Sequence, residues 1–404
     1  MASESVTFEA DNLNDYSLQL SRWYLLPIGA WPSSSSASRL ERIVSVTLIV
    51  LSYSLIMFTV VPSFLSIILE DETVRLKLKL LGPLGHWFVG GINYTTLLMR
   101  SKEIRHCIEH MGTDWRIITR TKDQQIMMKN AKFGRYVSAF CAACMQGGVL
   151  SYCVVSALTM RVVQVGNETR TVHVLPCSVY KKLLNVDNSP MNEIVLVSQF
   201  LSAFIVNSSA VGAFSLAAVF AAHACGQLDV LMIWITEFVN DSRRQRKNAC
   251  LNKIGVLVEH HLRVLSFISR IEDVMTRICF MEMFKCTLDI CMLGYYILTE
   301  WSDKDVRNLT TYFVILMSMC FNIFTVCYIG EILSEQCIKV GEVVYMSNWY
   351  HLPDKLVLDL VLIITRSSVV VKITAGKLIR MSIYTFGDVM KTSFAYLNLL
   401  RQTT

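Results

Sequence analysis

Ionisable residues inside long apolar stretches are the first candidates for chemistry in this chain. Glu282, Lys285 and Asp289 follow one another at three and four residues, a spacing that aligns them on one helix face. At membrane depth such groups are costly unless they meet protein or water. The ladder therefore marks a helix packed against protein, and structural stabilisation is the expected role over ion conduction. Asp388 and Lys391 are three apart in the last apolar segment; they either close a helix-end ion pair or line a watery vestibule. Beyond them Tyr396, Leu399 and Gln402 recur at three-residue spacing and share a face. An apolar ring at a constriction closes a pore by dewetting, and nearby amides replace part of an ion's hydration. The alternative for Leu399 is a lipid-facing or core position.

Catalytic and metal chemistry find little support. Glu259-His260-His261 is not His-Glu-x-x-His, and adjacent histidines cannot chelate as residues one helical turn apart do. Both histidines are expected on the surface of a cytoplasmic helix. Cys141 and Cys144 form a C-x-x-C pair inside an apolar segment, which suits packing better than redox work. No phosphate-cradling glycine loop is present. The expectation is a protein that is not an enzyme and holds no metal or cofactor.

The elements that position these residues are membrane helices. Of 404 residues, 53% are hydrophobic and only 17% charged, where a soluble domain carries about 25% charged. Seven segments approach the roughly 20 residues that cross a bilayer core: residues 43–69, 78–99, 136–160, 193–220, 279–298, 309–329 and 383–400. The second holds Gly82, Pro83, Gly85, Gly90 and Gly91, and the fifth and seventh hold the charges above. Residues 356–371 are apolar but short, and broken by Asp359 and Arg366; they read as a helix buried in protein beneath the membrane. The first 40 residues are acidic and polar, so no signal peptide is expected. Most of the thirteen cysteines lie in or just cytoplasmic of apolar segments, and Cys153 with Cys177 allows one bridge at most.

Charge sets the orientation. Lys and Arg on the N-terminal side and its alternate loops outnumber those on the opposite loops by 26 to 9, which puts the N-terminus inside and the C-terminus outside. The sequons at Asn167 and Asn308 fall in or beside loops placed outside and read as glycosylation sites. A G-protein-coupled receptor has the reverse orientation, and its Asp-Arg-Tyr and Asn-Pro-x-x-Tyr landmarks are missing. The net charge of +6 is a topology signal; no basic stripe is interleaved with aromatic stacking residues, so nucleic acid is not an expected partner.

Leu26-Pro27-Ile28-Gly29-Ala30-Trp31-Pro32 resembles the Gly-x-Trp-Pro segment that leads into the first span of insect odorant receptors. The stretch from Thr385 to Gln402 resembles that family's closing helix. The related gustatory receptors end in Thr-Tyr, five residues, then Gln-Phe; here Ala395-Tyr396 and Gln402-Thr403 keep the spacing but replace Thr and Phe, which favours the odorant branch. The long second cytoplasmic insertion of the shared co-receptor is missing, which suggests a ligand-tuning subunit.

The resemblance implies an all-α membrane protein with seven transmembrane helices. Its parts are a cytoplasmic N-terminal segment (1–42), six spans with a ligand pocket in their outer half (43–329), cytoplasmic anchor helices (330–382) and a pore-lining seventh helix with a short extracellular tail (383–404). It further implies an odour-gated, poorly selective cation channel in the plasma membrane of olfactory sensory neuron dendrites, a heterotetramer with the odorant receptor co-receptor. Volatile small molecules, membrane lipid and permeant cations would be its partners. Leu399 falls where the family's gate residue lies, and Gln402 matches the polar position beside it. A metabotropic seven-helix chemoreceptor and a gustatory-type channel are the alternatives.

An odorant pocket should be an apolar cavity with a few polar groups. The outer halves and midplane of the spans supply Trp87, Phe88 and Gly91; Gly148, Ser151 and Tyr152; Leu201, Phe204 and Ser208; Tyr295 and Tyr296; and Tyr312, Phe313 and Leu316. The segment 161–192 is long enough to fold over such a pocket as a lid.

Overall fold

A computed structural model of the chain describes residues 2–33, 38–71, 73–165, 168–241, 247–300, 306–369 and 371–403. Its helices are α1 (Ala2–Leu25), α2 (Arg39–Leu69), α3 (Val74–Met99), α4 (Ser101–Ile117), α5 (Thr121–Leu158), α6 (Met191–Asp241), α7 (Lys247–Glu300), α8 (Val306–Met346), α9 (Asp354–Ser368) and α10 (Ile383–Thr403). Strands β1 (Met160–Val165) and β2 (Glu168–His173) form a hairpin between α5 and α6, and β3 (Thr374–Ala375) pairs with β4 (Ile379–Arg380) ahead of α10. The seven expected spans fall on α2, α3, α5, α6, α7, α8 and α10. Among the described residues, α2, α5, α6 and residues 309–346 of α8 are long and apolar enough by composition to cross a membrane. The glycines and proline of α3 and the charges of α7 and α10 dilute the remaining three.

Helix α6 is the hub. It is apolar all round, and residues 205–228 are buried without interruption, as a helix surrounded by others requires. Small residues let neighbours close on it: a Cβ at Gly134 of α5 would lie 2.7 Å from the Ala222 Cβ and 3.3 Å from the Ala218 oxygen. At the other extreme, α2 turns Ile43, Val46, Val50, Met57, Val61, Phe64 and Ile68 outward, an apolar surface suited to lipid rather than water. A capping box, Ser38 with Glu41, fixes its start.

Within the segment 1–42, expected as a cytoplasmic N-terminal segment, the first residues build α1. Ser17, Leu18, Ser21 and Leu25 are buried, and Ser21 Oγ lies 2.8 Å from Ser215 Oγ of α6. Arg135 of α5 donates to the Tyr16 oxygen at 2.6 Å and the Gln19 Oε1 at 2.8 Å. The following Ile28–Trp31 stretch is pinned: the Tyr94 hydroxyl donates to the Ile28 oxygen at 2.7 Å, and Ser45 Oγ to that of Gly29 at 3.2 Å. Gly29 has φ +72°, and a Cβ there would sit 2.8 Å from the Ser45 oxygen. Both conditions demand glycine.

The stretches 100–135 and 221–278 between expected spans are mostly helix: the first holds α4 and the start of α5, and in the second α6 and α7 run on well past the expected spans. Helix α8 likewise passes unbroken through residue 330, where the expected anchor begins. The non-spanning helix expected at 356–371 is α9, whose buried Leu356, Leu360 and Ile363 pack with the α8 extension in one core.

At this end of the bundle, Asp114 of α4 accepts from Arg263 Nε at 2.7 Å and contacts His223 Nε2 at 3.0 Å, with His110 Nε2 at 3.5 Å. Burial alone would raise its pKa, but the His223 hydrogen bond and the charges of His223, His110 and Arg263 outweigh that and hold it below the usual carboxylate value. The histidine pair corrects the sequence expectation of a surface site. His261 is 3% exposed, and burial, with Arg366 and His260 nearby, depresses its pKa to about 4. His260 stacks near Trp234 and is partly covered. Helical extension of α7 brings both against the bundle.

Candidate ligand cavity and terminal helix

Five helices leave a cavity of about 140 Å³ between them. Its wall is Lys79, Gly82, Pro83, His86 and Trp87 of α3; Met145, Gly148, Val149 and Tyr152 of α5; Asn207 of α6; Lys285, Asp289, Met292, Leu293 and Tyr296 of α7; and Tyr312, Ile315, Ser318, Met319 and Asn322 of α8. A void of this size holds a ligand built around a single benzene ring. The rings of Tyr296 and Tyr312 meet at 5.8 Å, and His86 stands edge-on to Trp87 at 5.5 Å. The tyrosines are anchored: the Tyr296 hydroxyl donates to the Leu78 oxygen at 2.6 Å, and that of Tyr152 to the Pro176 oxygen at 2.8 Å.

Of the residues expected to line a pocket, the cavity gathers Trp87, Gly148, Tyr152, Tyr296 and Tyr312. In each of the four adjacent pairs expected there, one member lies on the wall and the other does not, although other neighbours, such as His86 with Trp87 and Met292 with Leu293, share it. Trp87 is inside and Phe88 is 56% exposed; Tyr312 is inside and Phe313 is 56% exposed. Tyr152 is inside, while Ser151 donates back to the Gly148 oxygen. Tyr296 is inside, while Tyr295 is buried beside it off the wall. Gly91 faces Ile56 of α2, Leu201 and Phe204 point outward, and Leu316 packs in the core. Ser208 is buried against Gln146, and Asn207 holds α6's place on the wall, donating to Gln146 Oε1 at 2.8 Å.

Residues missed in the sequence are Lys79, Gly82, Pro83, His86, Met145, Val149, Asn207, Met292, Leu293, Ile315, Ser318, Met319 and Asn322. Lys79, Pro83 and Trp87 recur at four-residue spacing, with His86 three after Pro83, a stripe that the helical period exposes once Trp87 is placed on the wall. The charge ladder divides. Glu282 and Lys285 form a buried ion pair at 2.9 Å, and Asn93 Nδ2 donates to Glu282 at 2.6 Å. Lys285 and Asp289 also line the cavity, a position beyond the stabilising role expected for the ladder.

The expected lid, 161–192, contributes no wall residue among its described residues. It holds the wall residue Tyr152, and is itself tied to α6 through Gln199, which bonds both the Cys177 amide and its carbonyl at 3.0 Å. Cys153 and Cys177 are both buried and free. Asn167 lies outside the described residues, and Asn308 stands in the first turn of α8.

Helix α10 packs on α7. Ser393 Oγ donates to the Thr287 oxygen at 3.3 Å, and Leu397 fills the space a Cβ on Gly294 would take, 2.9 Å away. The opposite face carries Tyr396, Leu399 and Gln402, all exposed, with Leu399 58% accessible. Asp388 and Lys391 approach to 3.8 Å on an exposed face.

A 7tm odorant receptor family model matches residues 74–394, most of the chain. Among curated relatives, Odorant receptor 10 of Aedes albopictus is 25% identical over 39% of this chain and 41% of its own length. Odorant receptor 13a of Drosophila melanogaster is 24% identical over 45% and 46%. The matched stretch thus spans less than half of these relatives. The solved olfactory receptor OR5 of the insect Machilis hrabei superposes with a TM-score of 0.79 at 14% identity, over 96% of this chain and all of that one. Its complex with eugenol gives 0.74 at 12% identity over the full length of both. The chain belongs to the seven-transmembrane odorant receptor family.

Proposed function

We propose that this chain is the ligand-tuning subunit of an odour-gated, poorly selective cation channel. One observation carries the reading: α7 touches both the cavity and the terminal helix. Met292, Leu293 and Tyr296 form cavity wall, while Gly294 and Thr287 on other faces of the same stretch hold Leu397 and Ser393 of α10. A ligand that fits better when α7 shifts has a direct mechanical route to α10, and it stabilises whichever state binds it more tightly. The exposed stripe of Tyr396, Leu399 and Gln402 then faces a shared ion path, with Leu399 as a dewetting gate and Gln402 as a polar neighbour. Asp388 and Lys391 border the cytoplasmic approach.

The ligand class is a small, largely apolar volatile molecule. An aromatic-walled cavity of this volume supports that class, and the related olfactory receptor OR5 is solved with eugenol, a compound of this kind. The N-terminus lies in the cytosol and α9 with the α8 extension forms a cytoplasmic anchor; the excess of Lys and Arg on that side supports this orientation. The channel is a heterotetramer with the odorant receptor co-receptor in the plasma membrane of sensory dendrites. Asn167 and Asn308 are its glycosylation candidates.

Ligand-evoked current in cells that lack G-protein signalling, with the co-receptor co-expressed, tests the channel reading. Fast current without second-messenger delay is expected. Current only when G-protein signalling is restored would establish a metabotropic receptor instead.

A further inference from the structure

Building on the cavity as ligand site, we propose that it selects small amines, with Asp289 receiving the ammonium group. The cavity is mostly aromatic and aliphatic, yet one acid on its wall, Asp289, has no hydrogen bond or direct ion pair among the described residues, only the charge of Lys285 nearby. Lys285, a helical turn away, is committed to Glu282 at 2.9 Å. Lys79, the other cation on the wall, is already engaged. Among the described residues, no hydrogen-bond donor and no cation lies within bonding or ion-pair distance of Asp289. A carboxylate in a cavity of low polarity needs a donor, and a ligand that brings a positive one satisfies both the hydrogen-bond and the charge requirement.

The surroundings fit the same head group. Tyr152, Tyr296 and Tyr312 line the cavity, and an ammonium is attracted to aromatic rings as well as to a carboxylate. Trp87 is 2% exposed and its Nε1 has no acceptor, and His86 Nε2 also lacks a partner. These give a neutral ligand something to bond, so alcohols and carbonyl compounds should enter too. They leave Asp289 less well satisfied, and the amine is therefore preferred.

The test uses the full-length chain in lipid nanodiscs and reads the rise in unfolding temperature during titration with three ligands of matched shape: benzylamine, benzyl alcohol and ethylbenzene. In the wild type, benzylamine should bind about ten-fold tighter than ethylbenzene, the scale of one charged hydrogen bond. Asp289→Asn should remove that advantage, read as the ratio of benzylamine to ethylbenzene affinity within the variant, and Asp289→Glu should keep part of it. The wild-type ranking needs no variant, so it stands if Asp289→Asn does not fold. Benzylamine binding no better than ethylbenzene, or an advantage that survives Asp289→Asn, overturns the proposal. Ile315→Trp, which fills the cavity, separates the two levels of inference. Loss of all three ligands in that variant keeps the cavity as the binding site whatever the amine result; no effect on any of them removes the cavity reading and the amine proposal with it.

Discussion

Replacing Glu282 with Leu should cripple this protein, and replacing Lys285 with Met at the same time should rescue much of it. Both side chains are buried, with Nζ and Oε2 2.9 Å apart. At that distance and an effective dielectric of about 20, the attraction is about 6 kcal/mol. Desolvation of each ion costs several kcal/mol, so the intact pair contributes little net stability. Removing one partner is different, because Lys285 then stays buried without its hydrogen-bonded counter-charge. Breaking such pairs costs about 3–5 kcal/mol, a large share of the roughly 5–15 kcal/mol that holds a protein folded. Asn93 also loses the acceptor of its 2.6 Å hydrogen bond, worth about 1 kcal/mol more. The double variant removes both charges of the pair and should regain at least about 2 kcal/mol. Thermal unfolding of detergent-extracted fluorescent fusions, followed by size-exclusion chromatography, gives the ranking. Surface biotinylation gives it again in cells. Wild-type stability in Glu282→Leu, or a double variant as unstable as both single losses added together, would refute the argument that the pair matters through charge burial.

Other perturbations follow from single contacts. Gly330→Ala places a Cβ 2.5 Å from the Met381 oxygen and 2.9 Å from its Cβ; backbone cannot yield cheaply, so a loss of about 1–3 kcal/mol is expected in the same unfolding assay. Leu399→Ala should alter gating or permeation at normal surface expression, read as a changed open probability or cation permeability ratio with the co-receptor present; wild-type currents would count against a pore position. His261 has its pKa depressed from 6.5 to about 4, so the unfolded chain takes up its proton first as pH falls. Stability should be constant above about pH 6.5 and drop by roughly 3 kcal/mol toward pH 4; His261→Phe should flatten that slope. Asp114, whose pKa lies below its ordinary value, contributes stability above that value and loses it only at still lower pH, so Asp114→Asn should lower stability at neutral pH.

The sequence by itself determined the membrane class, the number of spanning segments and the family. These depend on local quantities: apolar length, spacing, and the motifs around Gly29 and the last helix. It also marked α7 as packed against protein, since Glu282, Lys285 and Asp289 could not face lipid. Only the tertiary structure decided what each side chain meets. Periodicity fixes the angle between Trp87 and Phe88, but not which of the two turns inward; that depends on how α3 rotates against α6 and α7, set by contacts such as Gly90 against Val206. The same holds for Asp289. Its spacing from Lys285, and the i,i+3 spacing of Lys285 from Glu282, are legible in the chain, whereas the choice of Glu282 over Asp289 and the cavity in front of the remaining carboxylate depend on how the surrounding helices meet, which no local pattern encodes.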